Sequence, residues 1–299
     1  MQLLLQNIIN GLALGSVYAL VALGYTMVYG VLQFINFAHS DIFMLGAFAG
    51  LYVAGWISGI FSPTVEFAIV MSASMFFCVI CGVLAERVAY RPLRSAPRLN
   101  VLITAIGVSL FLENLGQIVF GSDPRVFPSL LPVISLLEAQ DLVLNNIQVI
   151  VISVSAAFMF ILSYIVHRTK IGTAMRAVSY DIQVASLMGI PSDWIIIFTF
   201  VIGSALAGIA SVLYGLAYPR VDPLMGVMIG LKAFVAAVFG GIGNIAGAAI
   251  GGIILGLAEA LVVYYVSSSF RDAIAFGILI LVLLFRPTGI FGTMQREKV

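Results

Sequence analysis

Three ionisable side chains stand inside long apolar runs of this sequence, namely Glu113, Lys232 and Glu259. A charged group is costly in the hydrocarbon core of a bilayer, so each of them is a candidate functional residue. At ~1.5 Å per helical residue, all three are expected about 10 Å below the same membrane boundary. We therefore expect Glu259 or Glu113 to neutralise Lys232, either as a structural ion pair between helices or as part of the lining of a substrate pathway.

A second polar group lies between two apolar runs and consists of Gln33, Asn36, His39, Ser40 and Asp41. If residues 31–39 form a re-entrant break, the start of the next helix would present free N–H groups that can bind a carboxylate. A zwitterionic ligand would need such a group, a partner for its ammonium and an apolar slot. The alternative is a helix break that is satisfied by its own side chains.

The motifs do not support catalytic, metal or cofactor chemistry. No Ser–His–Asp order or His-Glu-x-x-His motif stands out, so no catalytic residue is predicted. His39 and His167 are remote in sequence and show no ligand spacing, which argues against a metal site. Cys78 and Cys81 share one apolar stretch and indicate no disulfide framework. The Gly-rich run 240–247 lacks the Gly-Lys-Ser/Thr of a phosphate loop and predicts a tight turn or a broken helix.

The composition predicts that membrane helices position these residues. Of 299 residues, 62% are hydrophobic and 9% are charged, and the mean hydropathy is +1.15, which excludes a soluble globular class. A net charge of +1 argues against a nucleic-acid partner. We predict a single all-α, polytopic membrane domain over residues 1–299 with about 8–10 transmembrane helices, some of them broken or re-entrant. The predicted spans are 8–31, 34–60, 63–85, 101–120, 146–167, 194–216, 226–243, 247–266 and 271–286.

The basic residues predict the orientation of these spans. Ten of the fourteen Lys and Arg residues fall on one side of the predicted map, which is therefore expected to be cytoplasmic. They are Arg87, Arg91, Arg94, Arg98, Arg168, Lys170, Arg176, Arg286, Arg296 and Lys298. The opposite loops hold only Arg125, Arg220 and Arg271. This map places the N-terminus outside and the C-terminus in the cytoplasm.

Small residues recur at four-residue spacing in three of the predicted spans. Such residues let membrane helices approach closely. The three stripes are Gly11, Gly15 and Ala19; Gly203, Ala207, Ser211 and Gly215; and Ala248, Gly252, Gly256 and Ala260. They predict helix packing inside this chain, or contact with a second subunit.

The loop 168–193 is read as an amphipathic helix outside the membrane over residues 172–189. Ala174, Val178, Ala185 and Met188 can share one apolar stripe, whereas Arg176, Asp181 and Gln183 lie off it. Gly189 is the predicted C-cap, and Ser192 or Asp193 is expected to cap the next span. The helix either joins two spans or docks into a cytoplasmic partner.

This loop carries a family resemblance. Residues 168–181 and 185–190 resemble the cytoplasmic loop of branched-chain amino acid ABC permeases of the LivH type. The general import-permease pattern Glu-Ala-Ala-x-x-x-Gly corresponds to residues 183–189, where Gln183 and Val184 stand in place of Glu and the first Ala. Residues 11–20, 24–30, 35–41 and 230–256 resemble other segments of the same family. At Ser40 the family signature usually has Gly.

The resemblance implies a permease subunit of an ATP-driven importer for leucine, isoleucine and valine in the inner membrane. Its expected partners are a related second permease subunit in a heterodimer, two ATP-binding subunits, an extracytoplasmic substrate-binding protein and membrane lipid. The coupling residues would be Arg176, Asp181, Gln183, Ala185 and Gly189. A urea or short-chain amide permease of the same family, an ATP-independent secondary carrier or channel, and an intramembrane enzyme remain as alternatives.

Overall fold

A computed structural model describes residues 2–94, 96–139, 142–286 and 288–292. The elements are α1 (Gln2–Leu32), α2 (His39–Ile57), α3 (Pro63–Ala85), α4 (Arg98–Phe120), β1 (Ser135–Ala139), β2 (Leu142–Asn145), α5 (Asn146–Arg168), α6 (Lys170–Tyr180), α7 (Ile182–Leu187), α8 (Ser192–Ala217), α9 (Met225–Gly240), α10 (Ile245–Tyr265) and α11 (Arg271–Phe285). A π turn (Glu86–Tyr90) and a 3₁₀ turn (Arg91–Leu93) extend α3, and a 3₁₀ turn (Ser268–Phe270) precedes α11.

The predicted class is confirmed, because eight helices of the described chain are long and apolar enough to cross a membrane. The remaining predicted span, 226–243, corresponds to α9, which has 16 residues and a length of about 24 Å, less than the roughly 30 Å of a bilayer core. The largest differences in boundaries are at α1, which begins at Gln2 rather than at residue 8, and at α2, which begins at His39 rather than at residue 34. The antiparallel hairpin β1–β2, between α4 and α5, was not predicted.

The hairpin defines one end of the bundle, and α6 with α7 defines the other, since α5 joins the two. We call these the hairpin end and the α6–α7 end. At the hairpin end, the Gln6 side chain accepts a hydrogen bond from the backbone N–H of Val143. At the opposite end, the Gln33 amide donates to the Ser179 carbonyl. Helix α1 therefore runs the full height of the bundle.

The three stripes of small residues pack inside this chain. A Cβ added at Gly15 would collide with the backbone of Gly252 and Ile253, and one at Gly252 would collide with Ala19, so α1 and α10 meet backbone to backbone. In α8, Ser211 contacts the hydroxyl of Ser74, and Gly215 lies against the ring of Phe127. Of the two readings that the sequence left open, packing inside the chain holds for all three stripes.

The Gly-rich run forms the tight turn between α9 and α10. Gly241 and Gly243 adopt φ values of +103° and +92°, which residues with side chains rarely adopt. Asn244 then caps α10, because its side-chain oxygen accepts a hydrogen bond from the N–H of Gly247. Two glycines that accept a positive φ and one Asn that caps the next helix thus determine the shape of this turn.

The prediction of one helix over 172–189 is wrong, because the chain breaks at Asp181. The Asp181 carboxylate accepts hydrogen bonds from the N–H groups of Gln183 and Val184 and so starts α7 as a new helix. Met188 is 79% exposed and is not part of a buried stripe. Val178 and Ala185 are buried as expected.

The ends of this segment are also defined. Gly189 has a φ of +83°, and its N–H bonds the Ser186 carbonyl while that of Ile190 bonds the Ala185 carbonyl, so Gly189 terminates α7 in a Schellman motif as predicted. The expected cap of α8 is wrong. Neither Ser192 nor Asp193 makes a side-chain cap, because the Ser192 hydroxyl bonds Ser186 and Asp193 forms ion pairs elsewhere.

Candidate functional site

The break between α1 and α2 lies at the α6–α7 end and is re-entrant. Gln33 is the one described non-Gly residue with a positive φ, +56°, and it ends α1. His39 is the first residue of α2, and its ring lies against Gly24 of α1. Gly24 precedes the end of α1 at Leu32 by eight residues, which is about 12 Å along the helix. The chain therefore turns back into the bundle before α2 begins.

The first turn of α2 does not present free N–H groups, contrary to the conditional prediction. The N–H of His39 donates to the Asn36 carbonyl over 3.1 Å, and that of Asp41 to the Ala38 carbonyl over 3.2 Å. The N–H of Ser40 makes a long bond of 3.4 Å to the Phe37 carbonyl. Local turns thus engage these donors.

The polar side chains of this turn point to three different helices. His39 packs its ring 4.9 Å from the ring of Tyr25 on α1. Ser40 lies in the space left by Gly230 on α9, beside the hydroxyl of Tyr25. Asp41 accepts a 2.5 Å hydrogen bond from Ser109 on α4. These pathway candidates are therefore neighbours in the sequence, but their side chains contact different helices and do not line one common pocket.

Two buried atoms of this turn have no hydrogen-bond partner among the residues that the structure describes, Nε2 of His39 and Oδ1 of Asp41. Both residues are almost completely buried. Glu113 lies one helical turn beyond Ser109 on α4 and is within electrostatic range of Asp41. Asp41 on α2 and Glu113 on α4 are thus two acids of neighbouring helices within electrostatic range of each other.

The remaining two residues of the stretch connect the break to neighbouring segments. Asn36 accepts a 2.6 Å hydrogen bond from the hydroxyl of Tyr90, in the π turn after α3. Gln33 reaches the carbonyl of Ser179 at the end of α6. The break is therefore tied both to the end of α3 and to the loop 168–193.

A small cavity of about 10 Å³, room for about one water molecule, adjoins the break. Its lining is largely aromatic and aliphatic and consists of Tyr25, Tyr29, Ile35, Phe234, Ala237 and Ile242. A ligand of amino-acid size can occupy this position only if the surrounding helices move apart.

The predicted neutralisation of Lys232 by Glu259 is observed. The Nζ atom of Lys232 lies 3.0 Å from Oε1 and 3.1 Å from Oε2 of Glu259. Both residues are buried. The alternative pairing with Glu113 is wrong, because the carboxylates at Lys232 are those of Glu259 and Asp272, and Glu113 forms no ion pair within the described chain. Equal depth along a helix does not determine which face a residue occupies.

Two further residues complete the ion pair and were missed by sequence reasoning. Asp272, in the first turn of α11, places Oδ1 2.8 Å from the Lys232 Nζ. The hydroxyl of Tyr18 on α1 donates to Oε2 of Glu259 over 3.1 Å. Tyr18 was missed because its helical spacing with Tyr25 is a pattern typical of packing. Asp272 was missed because it stands next to a predicted span boundary rather than inside a span. The network joins α1, α9, α10 and α11 at one point.

The expected coupling residues lie on α6 and α7. Arg176 donates to the Val166 carbonyl at the end of α5, Asp181 caps α7, and Ala185 is buried against the bundle. Gln183 is exposed, as are Leu187, at 87%, and Met188. The segment is thus anchored by one face and presents an apolar face to its surroundings.

A group of charged residues surrounds the start of α8 at the same end. Asp193 accepts from Arg91 over 2.6 Å and from Arg94 over 2.5 Å, and Arg94 also pairs with the buried Glu86. Four of the ten basic residues that predicted orientation stand in or next to this segment after α3. Arg296 and Lys298 lie outside the described residues.

The described residues contain no group of three or more His, Cys, Asp or Glu side chains that could hold a metal ion. The absence of a cofactor stays a prediction.

A multi-pass bundle with re-entrant backbone and ionisable residues between its helices defines the class as a membrane transport protein. The model of the family described as the permease component of branched-chain amino acid transport systems matches residues 7–283. The chain belongs to this family, whose members are permeases rather than enzymes.

Named relatives agree with this assignment. BraD, a high-affinity branched-chain amino acid transport system permease protein of Pseudomonas aeruginosa, is 43% identical over 99% of this chain and 98% of its own length. LivH of Escherichia coli K12, which has the same descriptive name, is 43% identical over 99% and 97%. A probable LivH of Methanocaldococcus jannaschii is 27% identical over 91% and 88%. The solved PsaBC of Streptococcus pneumoniae in complex with Fab has 14% identity and a TM-score of 0.46 over 97% of this chain and 92% of that one, a likeness too weak to bear on the assignment.

Proposed function

We propose that this chain is the permease subunit of an ATP-driven importer for leucine, isoleucine and valine. The observation that carries the proposal is the family match over residues 7–283, together with relatives that are named as high-affinity branched-chain amino acid permeases. Residues 1–299 form a single permease domain. Its partners are a second related permease subunit, two ATP-binding subunits and an extracytoplasmic binding protein.

The complex lies in the inner membrane with the α6–α7 end in the cytoplasm. The basic residues at that end support this orientation, since short cytoplasmic loops carry an excess of Lys and Arg. The N-terminus and the hairpin then lie outside, and the C-terminus lies in the cytoplasm.

The loop 168–193 couples ATP hydrolysis to transport by docking α6 and α7 into an ATP-binding subunit. Three features support this role. Leu187 and Met188 expose apolar side chains at the tip of the segment. Ala185 and the Schellman motif at Gly189 hold its shape. The hydrogen bond from Gln33 to Ser179 links it to the helix break, so that its displacement would move the break.

Substrate passes along the polar groups between the helices. These are Lys232 and Glu259 near the hairpin end, and Asp41, Glu113 and the residues 33–40 toward the α6–α7 end. Backbone that leaves regular structure at membrane depth is tolerated where it is buried in protein or lines a cavity, which supports a pathway beside the break. The small aromatic cavity implies that these helices separate during each cycle.

Uptake by the complete complex in liposomes tests the function. Labelled leucine is offered with an excess of valine, isoleucine or urea. We expect valine and isoleucine to compete and urea to have no effect, and we expect no uptake without the ATP-binding subunits or ATP. Competition by urea would indicate an amide permease, and uptake by the chain alone would indicate a secondary carrier.

A further inference from the structure

The ammonium group of Lys232 has one fixed partner and one exchangeable partner. Glu259 is completely buried, keeps both oxygens within 3.1 Å of the Lys232 Nζ and is held by the Tyr18 hydroxyl. Asp272 is 51% exposed and approaches from a different helix. Loss of Asp272 would leave Lys232 paired, whereas loss of Glu259 would leave it with a partly solvated carboxylate only.

The helix that carries Asp272 is the least buried of the candidate membrane spans in the described chain. Its packed residues begin at Ala275, which is buried, and continue with Phe276, Ile278 and Leu279, which pack against the core, so Asp272 stands in the turn before the packed part of the helix. Arg271, next to Asp272, has a buried Nε atom without a hydrogen-bond partner among the described residues. It also lies within electrostatic range of Glu259. Arg271 therefore adds a second cationic group, with an unpartnered donor, within electrostatic range of Glu259.

We infer that Lys232 and Asp272 form an outer subsite for a zwitterionic α-amino acid. The substrate carboxylate replaces the carboxylate of Asp272 at Lys232, and the released Asp272 accepts the substrate ammonium. Glu259 and Tyr18 keep Lys232 in place, and Arg271 offers its free donor to the same carboxylate. The inference rests on the proposed function and names the residues that recognise the backbone of the substrate.

The exchange preserves the number of ion pairs, which is why a zwitterion suits the site. A charge that gives up a charged hydrogen bond without a replacement loses the contribution of that bond to binding. A zwitterion supplies one carboxylate and one ammonium, so that Lys232 and Asp272 both remain paired. A carboxylate alone would leave Asp272 without a partner, an amine alone would leave Lys232 with Glu259 only, and a neutral amide would replace neither charge.

Saturation-transfer NMR on the complete complex in nanodiscs, without the binding protein, tests the subsite with L-leucine as the probe. We expect Asp272→Asn to weaken leucine binding about tenfold or more, since a hydrogen bond to a charged group contributes on the order of this factor. Asp272→Glu should restore most of the binding. Asp222→Asn is the matched control, because Asp222 forms an ion pair with Arg220 over 3.5 Å outside the network.

Competing analogues separate recognition from a structural role. In the unaltered complex, isocaproate and isoamylamine should each displace leucine only at about tenfold higher concentration. In the Asp272→Asn variant, isocaproate should displace leucine at a concentration similar to that of unlabelled leucine itself. An unchanged leucine signal in Asp272→Asn, no leucine signal in the unaltered complex, or equal competition by isocaproate in the unaltered complex would each overturn the subsite.

ATP-driven uptake of leucine, measured on the same preparations with the binding protein added, distinguishes the two proposals. Uptake by the unaltered complex together with equal binding by Asp272→Asn overturns the subsite and leaves the importer intact. Absence of uptake by the unaltered complex overturns the importer.

Discussion

At the scale of single residues, the ionisable groups between the helices differ in how they are balanced. Lys232 has a buried anionic partner, and Asp41 has a hydroxyl donor and a neighbouring acid. The sequence identified Lys232, Glu259 and Asp41 because charges in apolar runs are rare. It did not identify Ser109 or Tyr18, because Ser and Tyr are common in membrane helices and only the packing brings them to a carboxylate.

We expect Glu259→Gln to destabilise the folded permease by about 3 kcal/mol, the lower end for a broken buried pair, because it removes the buried partner of Lys232 and leaves only the half-exposed Asp272. The double variant Lys232→Met with Glu259→Met should recover most of this stability, since apolar residues of similar volume can replace a buried pair. Thermal unfolding of the purified complex measures both. Equal stability of Glu259→Gln and the unaltered protein would contradict the buried pair.

Asp41 permits a prediction about transport. Asp41→Asn keeps the size of the side chain and can still accept from Ser109, so we expect normal assembly. If Asp41 lines the pathway, uptake should fall by about tenfold or more, because a charged partner for the substrate is lost. Ser109→Ala serves as the control for the hydrogen bond alone. Full uptake by Asp41→Asn would remove this residue from the pathway.

At the scale of elements, the ends of the long apolar helices were predictable from the sequence, whereas interruptions within a segment were harder to predict. The apolar runs predicted α3 at residues 63–85 without error, because Pro63 starts it and charges follow it. The single helix over 172–189 was wrong, since the apolar spacing continues through Asp181 and only the cap geometry divides it. The hairpin β1–β2 has no strong alternation that would have distinguished it from a loop.

The α1–α10 contact leaves no space for a side chain. Gly252→Leu should therefore separate the two helices and abolish stable assembly. The matched control is Gly107→Leu on α4, where an added Cβ meets nothing within 4 Å and leucine would face open space. Comparison of the two yields of folded complex, by size-exclusion chromatography, checks the prediction. Similar loss in both variants would show that the effect is not specific to this contact.

The coupling segment gives a third test at this scale. The left-handed backbone at Gly189 costs about 1–2 kcal/mol for a residue with a side chain, and Asn tolerates it better than Val. We expect Gly189→Val, and likewise Ala185→Arg at its buried position, to leave membrane insertion intact and to uncouple ATP hydrolysis from uptake. Gly189→Asn should retain most uptake. Full coupling in both Gly189→Val and Ala185→Arg would exclude docking by this segment.

At the scale of the whole molecule, orientation is the property that the charges predict most directly. A cysteine introduced at Leu187 should react with a membrane-impermeant maleimide only from the cytoplasmic side, and one at the exposed Val126 only from outside. Cys78 is buried and Cys81 half-buried in α3, so neither should compete. Labelling of both positions from one side would contradict the proposed topology.

The pairing of α1 with α10 also has a consequence for biogenesis. The helix that leaves the ribosome first is covered by helices that are made near the end of synthesis, so α1 must wait in the lipid while most of the chain is translated. Its glycines and buried tyrosines are then without their partners. Chains that end before α10 should consequently be open to proteolysis, and completion of the last helices, rather than insertion of the first, should commit the permease to its fold.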